Sequence, residues 1–424
     1  MNLWLQLRDY VRGQFFDVGY IQVMYTSVLL LSHLTFYMKY ALIGPAFVDF
    51  KYILNTSLET ITRIPTLYTG GIIVGTLLGL LHRYVNRQIT IIIVLVVMNV
   101  FNTAMPYSQH VWQLYACAAV LGVTAGAWLT AYNVWLIEIW QEKAVRVLLF
   151  SQLMHGIGQF AGEQLARPYL TGHPPDAYNS TVNDMYGEYS PDERRAKLVV
   201  PFLIGAVVHG IGPLLLIIMY ITKPYVKVKQ YYTVETSTDR DARQAAAPTL
   251  AVTARPRLVT RALVCLSLGT IHSIDSLIPD FAVTYLQYIP ARLSASRAAS
   301  VTSAISGTYT VAHLVELVAT YAFTTSQIIH THFAIACVAF VALAFVGHNE
   351  TLVWISSVAV GFGVSILFPA LLAFYGSVVV VSDRMATAIW LSWGAVYFAP
   401  SLVLGHYIES TPYVFVVIAL ALIS

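Results

Sequence analysis

The 424-residue chain is 57% hydrophobic and only 11% charged, where soluble domains run at about 45–50% and 25%, so water is not its main solvent. A net charge of +3, thinly spread, offers no basic patch of the kind nucleic acid demands, and that class of partner is excluded. Cys117, Cys265 and Cys337 lie in apolar runs without metal-ligand or redox spacing, which fits packing.

A membrane-spanning helix needs about 20 mostly apolar residues. The opening stretch MNLWLQLRDYVRGQFFD has no continuous apolar core, so it is not expected to be a cleaved signal peptide, and insertion should begin at the first span. Spans are predicted near 21–46, 60–81, 88–105, 111–139, 145–169, 198–222, 258–287, 298–324, 329–347, 351–381, 386–407 and 411–424. The expectation is an all-α polytopic membrane protein with 12 transmembrane helices in two six-helix bundles, 1–222 and 258–424, joined by a polar cytoplasmic linker, 223–257. Residues 411–424 would reach only about 21 Å against a hydrocarbon core of about 30 Å, so the last helix is expected to be truncated.

Lys and Arg are denser in the segments predicted to be inside, among them Arg8, Arg12, Arg83, Arg87, Lys143, Arg146 and the linker, which places both termini in the cytoplasm. The three glycosylation sequons begin at Asn55, Asn179 and Asn349, all in predicted outside loops, with Asn179 and Asn55 the candidate sites.

In chain order, the first span groups His33, Tyr37 and Tyr40 on one face. In the second, GGIIVGTLLGLLHRYVNRQ sets Gly71, Gly75 and Gly79 at spacing four, a flat seam for a close helix neighbour with a gating implication, followed by the basic residues Arg83 and Arg87. The fourth span, GVTAGAWLTAYNVWLIEIW, carries Asn133 between Trp128 and Trp135, with Glu138 near its inner end. An amide beside indoles suits a hydroxylated ligand, and it also suits a simple bridge between helices.

The fifth span, SQLMHGIGQFAGEQLARPYL, lines up Gln152, His155, Gln159 and Glu163 within an arc of about 80°. The seventh brings His272 and Asp275 one turn apart in GTIHSIDSLIPDF, a pair able to exchange a proton. The eighth, SGTYTVAHLVELVAT, repeats the polar row with Ser306, Tyr309, His313, Glu316 and Thr320, and the eleventh groups Trp390, Trp393 and Tyr397. Unpartnered polar groups in hydrocarbon cost several kcal/mol, so these rows must face a neighbouring helix or a wet cavity.

The chain has no P-loop, HExxH, GxSxG or paired-carboxylate motif, so neither ATP-driven pumping nor an enzyme is expected. No cofactor is called for beyond Na+ or H+ as a coupling ion.

The six-plus-six plan and the glycine-rich second span resemble the major facilitator superfamily. More specifically, Gly44, Pro45 and Asp49, then Gly122, Gly126, Asn133, Trp140, Gln152, His155, Gly156 and Gly158, and Gly361, Gly363, Phe368 and Pro369 are similar to the family of sodium-dependent glucose transporters and its orphan relatives. Three departures stand out: no acid lies in Ala127–Thr130 where that family has one, His82 precedes Arg83 in place of an Asp, and His313 stands for an Arg.

The resemblance implies a secondary-active or facilitative carrier that exposes a midplane cavity alternately to each side, with glucose, another sugar or a polyol as solute. Its architecture puts spans one, four, seven and ten around the cavity, which nominates Asn133, Trp128, His272, Asp275 and Phe368 along with Gln152 and His155 as binding residues. Glu138, Glu163, His313, Glu316, Gly75, Gly79 and Arg83 are the coupling and gating candidates, with spans five and eight meeting across the two halves. The departures favour protons over sodium. The expected setting is a monomer, glycosylated, among the lipids of the plasma membrane. The rivals are a non-transporting receptor or scaffold on the same fold and a lipid or sterol carrier.

Overall fold

The computed structural model describes residues 19–79, 86–140, 144–172, 189–222, 254–319, 322–376 and 383–423. In hydrocarbon every backbone amide must find its partner inside the protein, which favours helices over all other local structure. Among the described residues twelve principal helices follow, with three short ones, Phe47–Ile53, Leu58–Ile61 and Leu367–Gly376, between them: α1 Tyr20–Tyr40, α2 Ile64–Gly79, α3 Arg87–Ala104, α4 Val111–Trp140, α5 Ala144–Ala166 and α6 Pro191–Thr222 precede residues 223–253, and α7 Ala254–Tyr288, α8 Ala295–Ala319, α9 Thr325–Ala344, α10 Glu350–Ser365, α11 Asp383–Tyr407 and α12 Val414–Ile423 follow them. Among the described residues nine helices are long and apolar enough to cross a membrane. The polar-striped α5 and α8 and the short α12 complete the expected two bundles of six.

Helix ends are closed by side chains that replace missing backbone partners. Asn86 accepts from the amides of Gln88 and Ile89 at the start of α3, Asn349 accepts from Leu352 at the start of α10, and Thr324 with Gln327 forms a reciprocal capping box at α9. Two predicted spans are interrupted where proline demands it. The first stops at Tyr40, and the chain turns through Gly44 and Pro45 into a short helix, Phe47–Ile53. The tenth breaks at Ile366 before resuming as Leu367–Gly376, because Pro369 has no amide to offer Ser365 and disfavours helix at the residue before it.

Close approach within the first half is set by glycine. A Cβ on Gly75 would lie 2.0 Å from the Val123 carbonyl oxygen, and one on Gly122 would lie 2.0 Å from that of Tyr68. The α2–α4 seam anticipated from Gly71 and Gly75 therefore has backbone against backbone, with Gly79 at the end of α2. One apolar core, including the fully buried Trp128, Tyr132, Trp135, Phe281 and Tyr285, runs through both halves.

The two faces can be named by the linker: the linker face carries the C-terminal end of α6 and the N-terminal end of α7, and the far face is opposite. Polar contacts between the halves gather toward the far face. Thr62 donates to the Gly405 carbonyl at 2.8 Å, Thr66 and Ser401 are 3.0 Å apart, Lys51 pairs with Glu409 at 2.6 Å, and the Ala295 amide donates to the Gly172 carbonyl at 3.0 Å. The α5–α8 contact also crosses between halves, as expected: Gln164 donates to Ser303 at 2.7 Å and Ser306 donates to Glu163 at 3.1 Å.

Candidate functional site

A small cavity lies where the halves meet, walled by Phe36, Tyr37 and Tyr40 of α1, Tyr68 of α2, Leu129 of α4, His155 and Gln159 of α5, His272, Asp275, Ser276 and Pro279 of α7, and Trp393 of α11. Six helices from both bundles contribute, so any relative movement of the bundles reshapes it. Pro279 sharpens the polarity of one wall, since its missing amide leaves the carbonyl of Asp275 without its helical partner.

Within the cavity His272 Nδ1 lies 3.5 Å from Asp275 Oδ2. The imidazole is boxed by rings, with Phe368, Trp390 and Trp393 centroids at 5.0, 5.1 and 5.0 Å. Facing it, His155 stacks on Tyr37 with centroids 3.6 Å apart. Imidazole, carboxylate, amide and phenol groups set into aromatic walls are the chemistry that holds a ring bearing hydroxyls, by hydrogen bonds at its edge and CH contact at its face.

The nominated residues divide. His155, His272 and Asp275 line the cavity, and Phe368 stands behind His272. Gln152 faces His155 Nδ1 at 3.4 Å from along the same helix. Trp128 and Asn133 do not line this cavity: Trp128 is fully buried beside His33 and Tyr132, and the half-buried Asn133 amide donates to the Leu129 carbonyl at 2.8 Å within its own helix. A spacing rule places both on the right helix but cannot tell which side of α4 faces inward. Glu138 pairs with Arg87 and ties α4 to α3 at the linker face.

Glu163 and His155 are buried in the α5–α8 seam, while His313 and Glu316 are half-buried farther along α8 toward the linker face. Asn55 is exposed, in a left-handed turn with φ 47°. Arg83, Asn179 and most of the 223–257 linker lie outside the described residues.

Several residues at the site were not nominated from sequence. In the sequence Tyr40 and Trp393 read as grouped aromatics of their spans, and Tyr68 and Ser276 carry no signal. Asp280 is the main omission. Its carboxylate accepts from Tyr40 of α1 at 2.6 Å and from Tyr397 of α11 at 2.7 Å, bridging the halves just beyond the cavity. An acid inside a span was the available clue.

A second cluster sits at the far face. Asp49 accepts from the Thr171 hydroxyl and amide, and Arg194 donates to the Thr171 carbonyl at 3.0 Å while lying 3.5 Å from Asp49. Burial pushes the Asp49 carboxyl above its ordinary value, against the downward pull of Thr171 and Arg194.

The fold and cavity define a two-bundle membrane protein with a polar cavity at the junction of the bundles. The chain belongs to the major facilitator superfamily, whose profile matches residues 29–399. It is 27% identical over 156 residues to sodium-dependent glucose transporter 1 of Danio rerio and 26% identical over 148 residues to major facilitator superfamily domain-containing protein 4A of Xenopus tropicalis. Those stretches cover 37% and 34% of this chain but only 25% and 29% of the relatives, so the match spans less than a third of either curated protein.

Among solved structures it resembles a D-xylose–proton symporter (TM-score 0.69, 12% identity, 95% and 96% of the two chains covered). It also resembles the E. coli fucose:proton symporter (TM-score 0.57, 14% identity, 94% and 97% covered) and a bacterial homologue of human drug peptide transporters (0.65, 12%, 95% and 95%). At these identities the likeness is one of fold.

Proposed function

We propose that the chain carries a small hydroxylated solute, a sugar or polyol, by alternating access, with protons as the coupling ion. The observation that carries this reading is the cavity itself, where a His272–Asp275 pair and the amide of Gln159 are set among Tyr37, Tyr40 and Trp393 at the junction of the two bundles. The pair sets an imidazole and a carboxylate 3.5 Å apart in the solute site, two groups between which a proton can pass. The two sugar–proton symporters among its structural neighbours and the glucose transporter among its sequence relatives support the same substrate class. Rocking of one bundle against the other would open the site to each side in turn, and the polar contacts at the far face describe a state closed on that side.

The test is uptake of radiolabelled glucose and a polyol panel into proteoliposomes, with sodium and proton gradients imposed separately. Accumulation driven by the proton gradient is the expected result. Accumulation driven only by sodium would overturn the choice of ion, and specific binding without any uptake would replace the transporter by a receptor.

A further inference from the structure

Among the described residues, three buried polar atoms along the α5–α8 seam lack a hydrogen-bond partner: Glu163 Oε2, His155 Nε2 and His313 Nε2. Each imidazole has its other nitrogen engaged. His313 Nδ1 is 3.0 Å from the Tyr309 carbonyl oxygen and His155 Nδ1 is 3.4 Å from Gln152 Oε1. The Tyr309 carbonyl can only accept, so His313 Nδ1 carries the hydrogen and its Nε2 is left bare; His155 Nε2 is left bare in the same way in the tautomer that donates to the Gln152 amide oxygen.

The rings connect across the halves. The His155 and Tyr309 centroids are 5.7 Å apart, those of Tyr309 and His313 are 4.7 Å apart, and Glu316, one turn beyond His313, is partly exposed toward the linker face. At the other end Glu163 holds Ser306 across the seam with its first oxygen only. The helices touch here over small residues, with a Cβ on Gly156 lying 2.5 Å from the Thr310 hydroxyl.

We propose that this seam is a proton file running beside the solute cavity, with Glu316 as its port at the linker face, His313 and His155 as carriers and Glu163 as its terminal acceptor. This rests on the proton-coupled reading above and extends it from the cavity pair to a second set of groups. Each transfer moves a proton alone: an O–H or N–H bond on one group breaks as a bond forms at a water molecule in the gap, which passes a proton to the bare nitrogen or oxygen of the next. His155 and Glu163 lie two turns, about 12 Å, apart on α5, and water entering from the linker face both fills the gaps and supplies the proton. His155 belongs to both systems, lining the cavity and standing in the file, and so links solute occupancy to proton position. The file is faced by His33 and Tyr37 from α1, His272 and Asp275 from α7, and His332 from α9, with Tyr132 of α4 stacked on His33. The buried cations Lys39 and Arg194 are engaged elsewhere, on Asn99 with Thr103 and on Thr171 with Asp49.

The test uses the full chain, purified and reconstituted, with Glu163→Gln and His313→Gln. Infrared difference spectra between about pH 5 and 8 need no solute. We expect a protonated-carboxyl band that Glu163→Gln removes and an imidazole band that His313→Gln removes. Ser306→Ala, which leaves the carboxyl in place, should shift the first band and guards against a variant that fails to fold. In transport, both Gln variants should retain solute exchange while proton-driven accumulation falls about tenfold or more. Spectra unchanged across that pH range, or full accumulation in both variants, would overturn the file. Titrating bands in a protein that moves no solute would support the file while defeating the transport reading.

Discussion

The hydroxyl of Tyr40, on the first helix, donates to the carboxylate of Asp280, on the seventh, at 2.6 Å, while Tyr397 holds the other oxygen at 2.7 Å. One carboxylate thereby spans the boundary between bundles beside the cavity wall that Tyr40 forms. Tyr40→Phe deletes one donor and should release about 1–2 kcal/mol of closure, a shift of roughly 5–30-fold toward opening of the far face. Reactivity of a single cysteine introduced at the far-face end of the cavity, compared with and without the substitution, reads this directly. Unchanged reactivity would mean that the bond does not hold the face shut.

Solute affinity should depend on the aromatic wall. Trp393 lies edge-on to His272 with centroids 5.0 Å apart, so Trp393→Ala removes both a ring face and the packing that orients the imidazole. An increase of about tenfold in the half-saturation concentration is expected, with Trp393→Phe recovering most of it. Equal half-saturation values for the Ala variant and the parent would take Trp393 out of the binding wall.

The α2–α4 seam gives a stability prediction with its own control. Gly75→Ala drives a methyl into the Val123 carbonyl, which is backbone and cannot swing aside, whereas a Cβ on Gly70 meets nothing within 4 Å. The first should cost about 1–3 kcal/mol and lower the Tm in detergent, and the second should leave it unchanged or raise it slightly, since alanine is the better helix former. The same thermal shift in both variants would contradict the seam.

At the far face, the proton affinity of folded Asp49 exceeds its ordinary value because the carboxyl is buried. Protonation therefore favours the fold: the stabilisation is fully present below about pH 4 and is lost as pH rises through the raised value. Arg194→Gln strips the counter-charge from the ionised form and should destabilise by about 3–5 kcal/mol at neutral pH, with the deficit shrinking on acidification. Adding Asp49→Asn to the Arg194→Gln variant should abolish that pH dependence. Tm followed from pH 4 to 8 checks both statements.

Hydrophobic runs reveal the number and order of helices because hydrocarbon imposes their length, and a proline such as Pro369 marks a break that composition alone does not. Rotation about a helix axis is less legible. His155, His272 and Asp275 line the cavity because their polar rows had to face inward, whereas Trp128 and Asn133, on a helix buried over much of its circumference, gave no direction. Asp280 was hidden by its role. Its two hydroxyl partners are separated from it by 240 and 117 residues, and no local pattern encodes a pairing over such distances.

The polar rows of α5 and α8 have a consequence for how the protein is made. Neither helix is among the nine apolar enough to be recognised as a span by composition, so each should leave the translocon reluctantly on its own. Glu163 finds Ser306 and Gln164 finds Ser303 only once the eighth helix has been synthesised. The fifth helix must therefore wait, sheltered by its earlier neighbours or by an insertase, while more than a hundred further residues leave the ribosome, and substitutions in this seam should first reduce membrane yield in cells.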